Sequence, residues 1–526
     1  MFDHFHFSAA PKKVMASLLA LMVSLGPIVS PAYAAPSSTA TPIQHLVVIF
    51  QENISFDHYF GTYPHATNPP GEPKFKASPN TPAVNGLSNA LLNFNPNLNP
   101  ANGTSASNPF RLDRSQAVTG DQDHGYTDEQ KAFDSGLMDL FPLNGGFGSS
   151  QVMGYFDGNT VTAMWNYAQF YAMSDNSYGT TFGPSTPGLL NLVSGQTNGV
   201  TSTLNGTGDE VNGGSDGSLT MIGDADPIGD VCSSATRAQG QMGGKNIGDL
   251  LTAAGVTWGG FMGGFDLTVV NSNGTTGCAR STKNLATTIG DYIAHHSLFG
   301  YYASTANPMH TRPASLAEIG NAGPANHQYD IRDFFAAVAA GNFPAVSFLK
   351  APAYADGHAG YSDPLDEQTF LVNTINFLQA QPTWSSTAVV IMCDDSDGWY
   401  DHQMGPIVNT STGPADALTG SDACGSAATS LPGINSANTH ALGRCGYGPR
   451  LPLLVISPWA RENFVDSTVT DQSSIIRFVE DNWLAGQRIG QGSFDGIANS
   501  ITQMFNFKQM RSNGFLFLHA STGEKE

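Results

Sequence analysis

The sequence predicts an α/β fold: a mostly parallel central sheet with helices on both faces, interrupted by long loop excursions. Three observations carry that expectation. Short continuous apolar runs recur along the chain, helical patterns alternate with them, and three long stretches between them are rich in Gly, Pro, Asn and Ser. Runs of four to eight apolar residues bounded by turn residues suit strands buried on both faces, and alternation with helices suits parallel crossovers.

The runs expected as strands are His45–Phe50, Thr257–Met262, Ala345–Leu349, Ala388–Met392 and Leu451–Ile456. Helical patterns at Asn246–Ala254, Ile331–Ala340 and Asp366–Ala380 precede the second, third and fourth runs. In the last of these, Leu371, Ile375 and Leu378 share a face. A helix over Asp471–Trp483 follows the fifth run. Residues 64–112, 195–245 and 405–449 read as loops, and loops of that length cover sites or carry disulfides. With no internal repeat and no linker, residues 35–526 are expected to form a single domain.

Residues 1–34 have the order of a secretory signal peptide. Lys12 and Lys13 precede an apolar run from Val14 to Leu25, and the small-residue triplet Ala32-Tyr33-Ala34 follows. That run is too short to span a bilayer comfortably, so the expectation is cleavage near Ala34, no stable membrane anchor, and a secreted or periplasmic protein. The formal net charge is −21. At that charge a nucleic-acid partner is not expected, because long-range repulsion opposes it. Oligomeric state is not readable from the sequence.

Five cysteines fit export. Cys232 and Cys278 flank one loop-rich region, and Cys424 and Cys445 another, whereas Cys393 sits inside an apolar run. Four cysteines allow three pairings; nearness in the chain favours 232–278 with 424–445, leaving Cys393 as a buried thiol.

Two polar clusters follow strand-like runs. After HLVVIF comes Gln51-Glu52-Asn53-Ile54-Ser55-Phe56-Asp57-His58. After AVVIMC comes Asp394-Asp395-Ser396-Asp397-Gly398-Trp399-Tyr400-Asp401-His402. Ligands of open α/β sheets collect beyond the carboxyl ends of the strands. Either cluster alone reads equally well as a polar turn. Together, Glu52, Asn53, Asp394 and Asp395 make an all-oxygen set that suits divalent Mg²⁺, Ca²⁺ or Mn²⁺ better than Zn²⁺.

A third feature is Gly183-Pro184-Ser185-Thr186-Pro187-Gly188, with Pro187 expected as the first helical residue and Thr186 as its N-cap. Ser185 would then sit where free N–H groups favour an anion, and a cation beside its hydroxyl would ease proton loss. The plain alternative is a capping turn. His124, one of the pair His295-His296, with His296 preferred, and His358 are candidates to meet phosphate oxygens or to protonate a leaving group, the plain alternative for each being a surface or capping histidine.

The strings QENISFDHYFGTYP, DQDHGYTDEQ, FGPSTPG, HHSLFGYY, DDSDGWYDH and RLPLLVISPWA followed by DQSSIIRFVEDNW occur in the order of a known pattern. From about His45 to Trp483 the chain resembles the bacterial phosphoesterase family that holds phospholipases C and secreted acid phosphatases, a branch of the alkaline-phosphatase-like superfamily. The resemblance implies one metal ion on Glu52, Asn53, Ser185, Asp394 and Asp395. It also implies Ser185 as nucleophile through a phosphoserine, and His124, His296 and His358 around the phosphoryl group. Gln472 stands where the family pattern has His.

Within the family, the Gly183–Gly188 string and the short tail after Trp483 resemble the acid phosphatases. The expected substrates are therefore small phosphate monoesters. A phospholipase C acting on phospholipid headgroups is the alternative, and a non-catalytic secreted binding protein the distant one.

Overall fold

The computed structural model describes residues 38–526 apart from 204–207, 215–216, 428–429 and 436–438. The expected signal peptide lies outside the described residues. Among the described residues, no helix is long and apolar enough to cross a membrane.

The main sheet has eight strands, numbered here in chain order: β1 His45–Gln51, β2 Ala172–Ser174, β3 Trp258–Met262, β4 Gln328–Asp330, β5 Val346–Lys350, β6 Thr387–Cys393, β7 Leu453–Ile456 and β8 Phe464–Asp466. Their spatial order is β4-β3-β5-β1-β6-β7-β2-β8. Only β7 runs against the others. The fold is the expected α/β architecture.

The centre of the sheet follows from composition. Every residue from Leu46 to Gln51 and from Thr387 to Cys393 is buried, which requires cover on both faces and explains why apolar residues do not alternate with polar ones there. Helices Ile331–Ala339, Pro364–Gln379 and Ser473–Trp483 lie within two residues of their expected starts. Asp330 and Asp363 cap the first two.

Other segments depart from expectation. The stretch 195–245 is not plain loop but holds a five-stranded sheet built on Asn198–Ser202 and Gln239–Met242. The strands β2, β4 and β8 are three residues each and escape sequence reading, because their pairing rather than an apolar run defines them. The disulfides are Cys232–Cys278 and Cys424–Cys445, with Cys393 free and buried.

Candidate active site

Three neighbouring parallel strands, β5, β1 and β6, deliver polar groups to one end of the sheet. Gln51 pairs with Cys393 at the last rung, so Glu52 and Asp394 emerge side by side. Asn53 adopts φ +35°, a left-handed conformation that Asn tolerates better than most residues. That turn breaks the strand's alternation and lets Glu52 and Asn53 serve the same end.

Ser185 opens the helix Ser185–Ser194, and its Oγ lies 3.2 Å from both Glu52 Oε2 and Asp395 Oδ2. The helix begins two residues before the expected first helical residue, Pro187, and Pro184 rather than Thr186 is its cap, because Gly183 at φ +113° and the extended Pro184 turn the chain sooner. Its N–H groups are not all free: Thr186 N–H donates to Asp224 Oδ1 at 2.9 Å. A Cβ on Gly188 would stand 2.2 Å from Asp394 O, so only glycine lets this helix approach the acidic loop.

The two aspartates differ in their surroundings. Asp394 Oδ1 accepts the N–H groups of Asn53 at 3.2 Å and Asp395 at 2.9 Å, and its Oδ2 lies 2.9 Å from Lys350 Nζ. Asp395 instead turns Oδ2 to Ser185 and accepts the Asp397 N–H on Oδ1. Glu52 is shared: Oε2 faces Ser185, while Oε1 faces Lys350 and His296 Nδ1, the latter at 3.2 Å.

Of the His pair, His296 faces Glu52, and His295 lies 3.5 Å from Asp226. His124 brings Nε2 to 3.3 Å from Asn53 Nδ2 and Nδ1 to 2.9 Å from Gln122 O. The His358 ring stacks on Tyr361 and stands edge-on to His124, with centroids 6.0 Å apart. Burial opposes a charge on each ring, but the three differ in outcome. Burial lowers His124, yet Asp395 and Asp397 outweigh it and raise the ring well above its ordinary value. Burial and the neighbouring His295 and Lys350 hold His296 well below. Burial and His124 lower His358 to about 4.

The metal expectation meets one direct check. Asn53 Oδ1 is buried and has no hydrogen-bond partner, an arrangement that costs free energy unless something accepts its lone pairs. Glu52, Asn53, Ser185 and Asp395 offer only oxygen donors, a chemistry that fits a hard divalent cation.

Residues 43–485 match the family model described as "Phosphoesterase family". The chain belongs to that family. Members to which it is similar include the non-hemolytic phospholipase C of Pseudomonas aeruginosa, 25% identical over 90% of this chain and 58% of that protein. The non-hemolytic phospholipase C of Burkholderia pseudomallei is 25% identical over 86% of this chain and 57% of that protein. Phospholipase C A of Mycobacterium tuberculosis is 23% identical over 93% of this chain and 82% of that protein. The chain thus spans under three fifths of the length of the first two relatives.

Three residues of this phosphoesterase family member, Lys350, Asp356 and Glu129, escape sequence reading, and Gln472 gains a role that the sequence left open. Lys350 ends β5 as a fully buried ammonium; a single Lys after an apolar run reads as a solvated strand end. Asp356 lies 3.9 Å from His296 and accepts the His358 N–H at 3.1 Å. Glu129 accepts the Gly183 N–H at 2.9 Å and the Ser396 hydroxyl at 2.6 Å, joining the serine turn to the acidic loop. Gln472 accepts the Thr180 N–H and donates to Asp394 O at 2.5 Å, so an amide holds the acidic loop from behind where the family pattern has His.

The open cleft beside this cluster is lined by His124, Tyr126, Phe147 and Pro184, by five aspartates, 121, 123, 128, 209 and 224, and by Arg237.

Proposed function

We propose that the chain is a metal-dependent hydrolase of phosphoric esters that cleaves the headgroup phosphodiester of phospholipids, as a phospholipase C does. Ser185 Oγ, held 3.2 Å from Glu52 Oε2 and Asp395 Oδ2 at a strand-end cluster, is the observation that carries the chemistry. The relatives named above are phospholipases C, and this supports the phosphodiester alternative over the phosphate monoesters favoured by the Gly183–Gly188 string. The aspartate-rich cleft mouth suits a headgroup that carries positive charge. Residues 35–526 would act as one exported catalytic domain, in keeping with two disulfides.

Glu52, Asn53, Ser185 and Asp395 would hold a divalent cation, with Asp394 beside them; when bound it lowers the cost of Oγ–H ionisation and of charge on phosphorus. In the step itself, the Ser185 Oγ–P bond forms as the P–O bond to the glycerol oxygen breaks. The proton lost from Oγ is matched by the one gained by the departing alcohol. His124, His296 and His358 border the phosphoryl position. Water then attacks the phosphoserine, returns one proton to Oγ and releases the phosphorylated headgroup.

The test assays purified protein on phosphatidylcholine and on a chromogenic phosphate monoester, with and without chelator. Release of phosphocholine and diacylglycerol, lost in Ser185→Ala and in chelator, supports the reading. Turnover of the monoester alone returns it to an acid phosphatase, and turnover of neither leaves the binding protein.

A further inference from the structure

Two neighbouring segments of the chain are stitched into one cap beside the cleft. Asn97 donates to Met138 O at 2.8 Å and accepts the Phe141 N–H at 2.9 Å. Asn102 donates to Asp139 O at 2.8 Å and accepts the Leu143 N–H at 3.1 Å. Both asparagines are buried, so residues 89–110 and 135–150 are held together by side-chain amides with fixed partners.

The outer side of this cap is apolar and almost without charge. Phe94 is 80% exposed, Phe147 71%, Leu137 62%, Leu143 46% and Leu98 45%. Five of the fourteen large apolar side chains exposed among the described residues fall in these two segments, which the asparagine bonds hold together. Residues 89–110 contain no Asp, Glu, Lys, Arg or His, and residues 135–150 contain only Asp139. That carboxylate accepts from Asn99 Nδ2 at 2.6 Å. Phe147 belongs both to the patch and to the cleft that ends at His124 and Pro184.

We infer that this face seats the chain on the surface of a zwitterionic phospholipid bilayer, with the cleft mouth turned to the headgroups. The inference rests on the lipid reading of the site and deepens it. Apolar side chains at the boundary between headgroups and acyl chains contribute in proportion to the area they bury. Anionic lipid would attract a basic patch, and this patch has no Lys or Arg to offer. Binding is accordingly apolar in origin, indifferent to salt and not strengthened by anionic lipid.

Flotation of the full chain carrying Ser185→Ala, which removes turnover, with phosphatidylcholine vesicles tests it. Phe94→Glu and Leu137→Glu, singly and together, sit at exposed positions outside the cleft; unchanged melting temperatures confirm that they fold. The expected result is vesicle binding by the parent, insensitive to salt, and weakened about tenfold or more in the double variant. In the Ser185 background, hydrolysis of dispersed short-chain phosphatidylcholine stays unchanged while hydrolysis of vesicles falls. No binding by the parent, equal binding by the double variant, or preference for phosphatidylglycerol vesicles overturns the inference. So does concentration-dependent dimerisation abolished by the same substitutions. Absence of turnover on short-chain and vesicle lipid alike, with vesicle binding intact, overturns the phospholipase reading instead.

Discussion

Lys350 Nζ lies 2.9 Å from Asp394 Oδ2, reaching from the end of β5 past β1 to the loop that follows β6. The same ammonium meets Glu52 Oε1, so one buried cation joins the two acidic strand ends that face the serine. Its charge is strongly held: burial opposes it, but Asp394 and Glu52 raise it above the ordinary lysine value.

Lys350→Met therefore leaves two buried carboxylates short of a counter-charge. The expected cost in chelator is about 3–5 kcal/mol, the range for breaking one partner out of a buried ion pair. Added divalent cation recovers part of it. Melting curves with and without Mn²⁺ or Ca²⁺ check this, and a variant as stable as the parent in chelator would show the carboxylates compensated elsewhere.

Asp394 and Asp395 are expected to separate on mutation. Asp395→Ala removes an oxygen that faces Ser185 and is expected to lose both bound metal and turnover. Asp394→Asn keeps an acceptor for the Asn53 and Asp395 N–H groups and disturbs chiefly Lys350. Its metal affinity is expected to fall by about 10–100-fold, as for groups that support ligands. Metal content after dialysis reads both, and full occupancy in Asp395→Ala removes that residue from the ligand set.

Glu367 gives a pH dependence. It lies buried under the site, and Tyr59 OH donates to its Oε2 at 2.8 Å. Burial is the main cause that pushes its carboxyl up from 4.5 to about 8. The folded chain thus binds this proton more tightly than the unfolded one. The contribution to stability is complete below the unfolded value and is lost as pH rises toward about 8, a change on the order of a few kcal/mol. Glu367→Gln mimics the protonated form and flattens that part of the curve. Urea unfolding at pH 5 and pH 8 measures the slope, and an equal pH dependence in the variant would refute the assignment.

Headgroup charge should matter at the cleft. With five aspartates against Arg237, kcat/KM for dispersed short-chain phosphatidylcholine is expected to exceed that for the phosphatidylglycerol analogue by about tenfold at low salt, the gap narrowing as salt screens the exposed carboxylates. Equal rates at low salt would show that these aspartates do not select.

Much of this arrangement is legible without coordinates. The runs that become β1, β5 and β6 are buried on both faces, so their residues are mostly apolar, and the polar strings after β1 and β6 mark where those faces end. Ser185, Glu52, Asn53 and Asp395 come together because each follows or opens such an element. Lys350, Glu129 and Asp356 are not legible for a common reason: their roles are set by partners on other elements, 44 to 298 residues away for Lys350, 267 for Glu129 with Ser396, and 60 for Asp356 with His296. Lys350 meets Glu52 and Asp394, and Glu129 meets Ser396, contacts that no local period encodes. Strands β2, β4 and β8 escape likewise, since three residues gain strand geometry only from their neighbours.

The free thiol of Cys393, fully buried at the last rung of β6, has a kinetic consequence. Thiol–disulfide exchange needs contact between a thiolate and a disulfide sulfur. Before β6 joins the sheet, this sulfur competes for any of the four other cysteines. After it joins, burial raises the thiol's pKa and closes off approach. Sheet assembly thus acts as a ratchet: pairings made after the centre closes are sheltered from rearrangement, and those made before remain correctable.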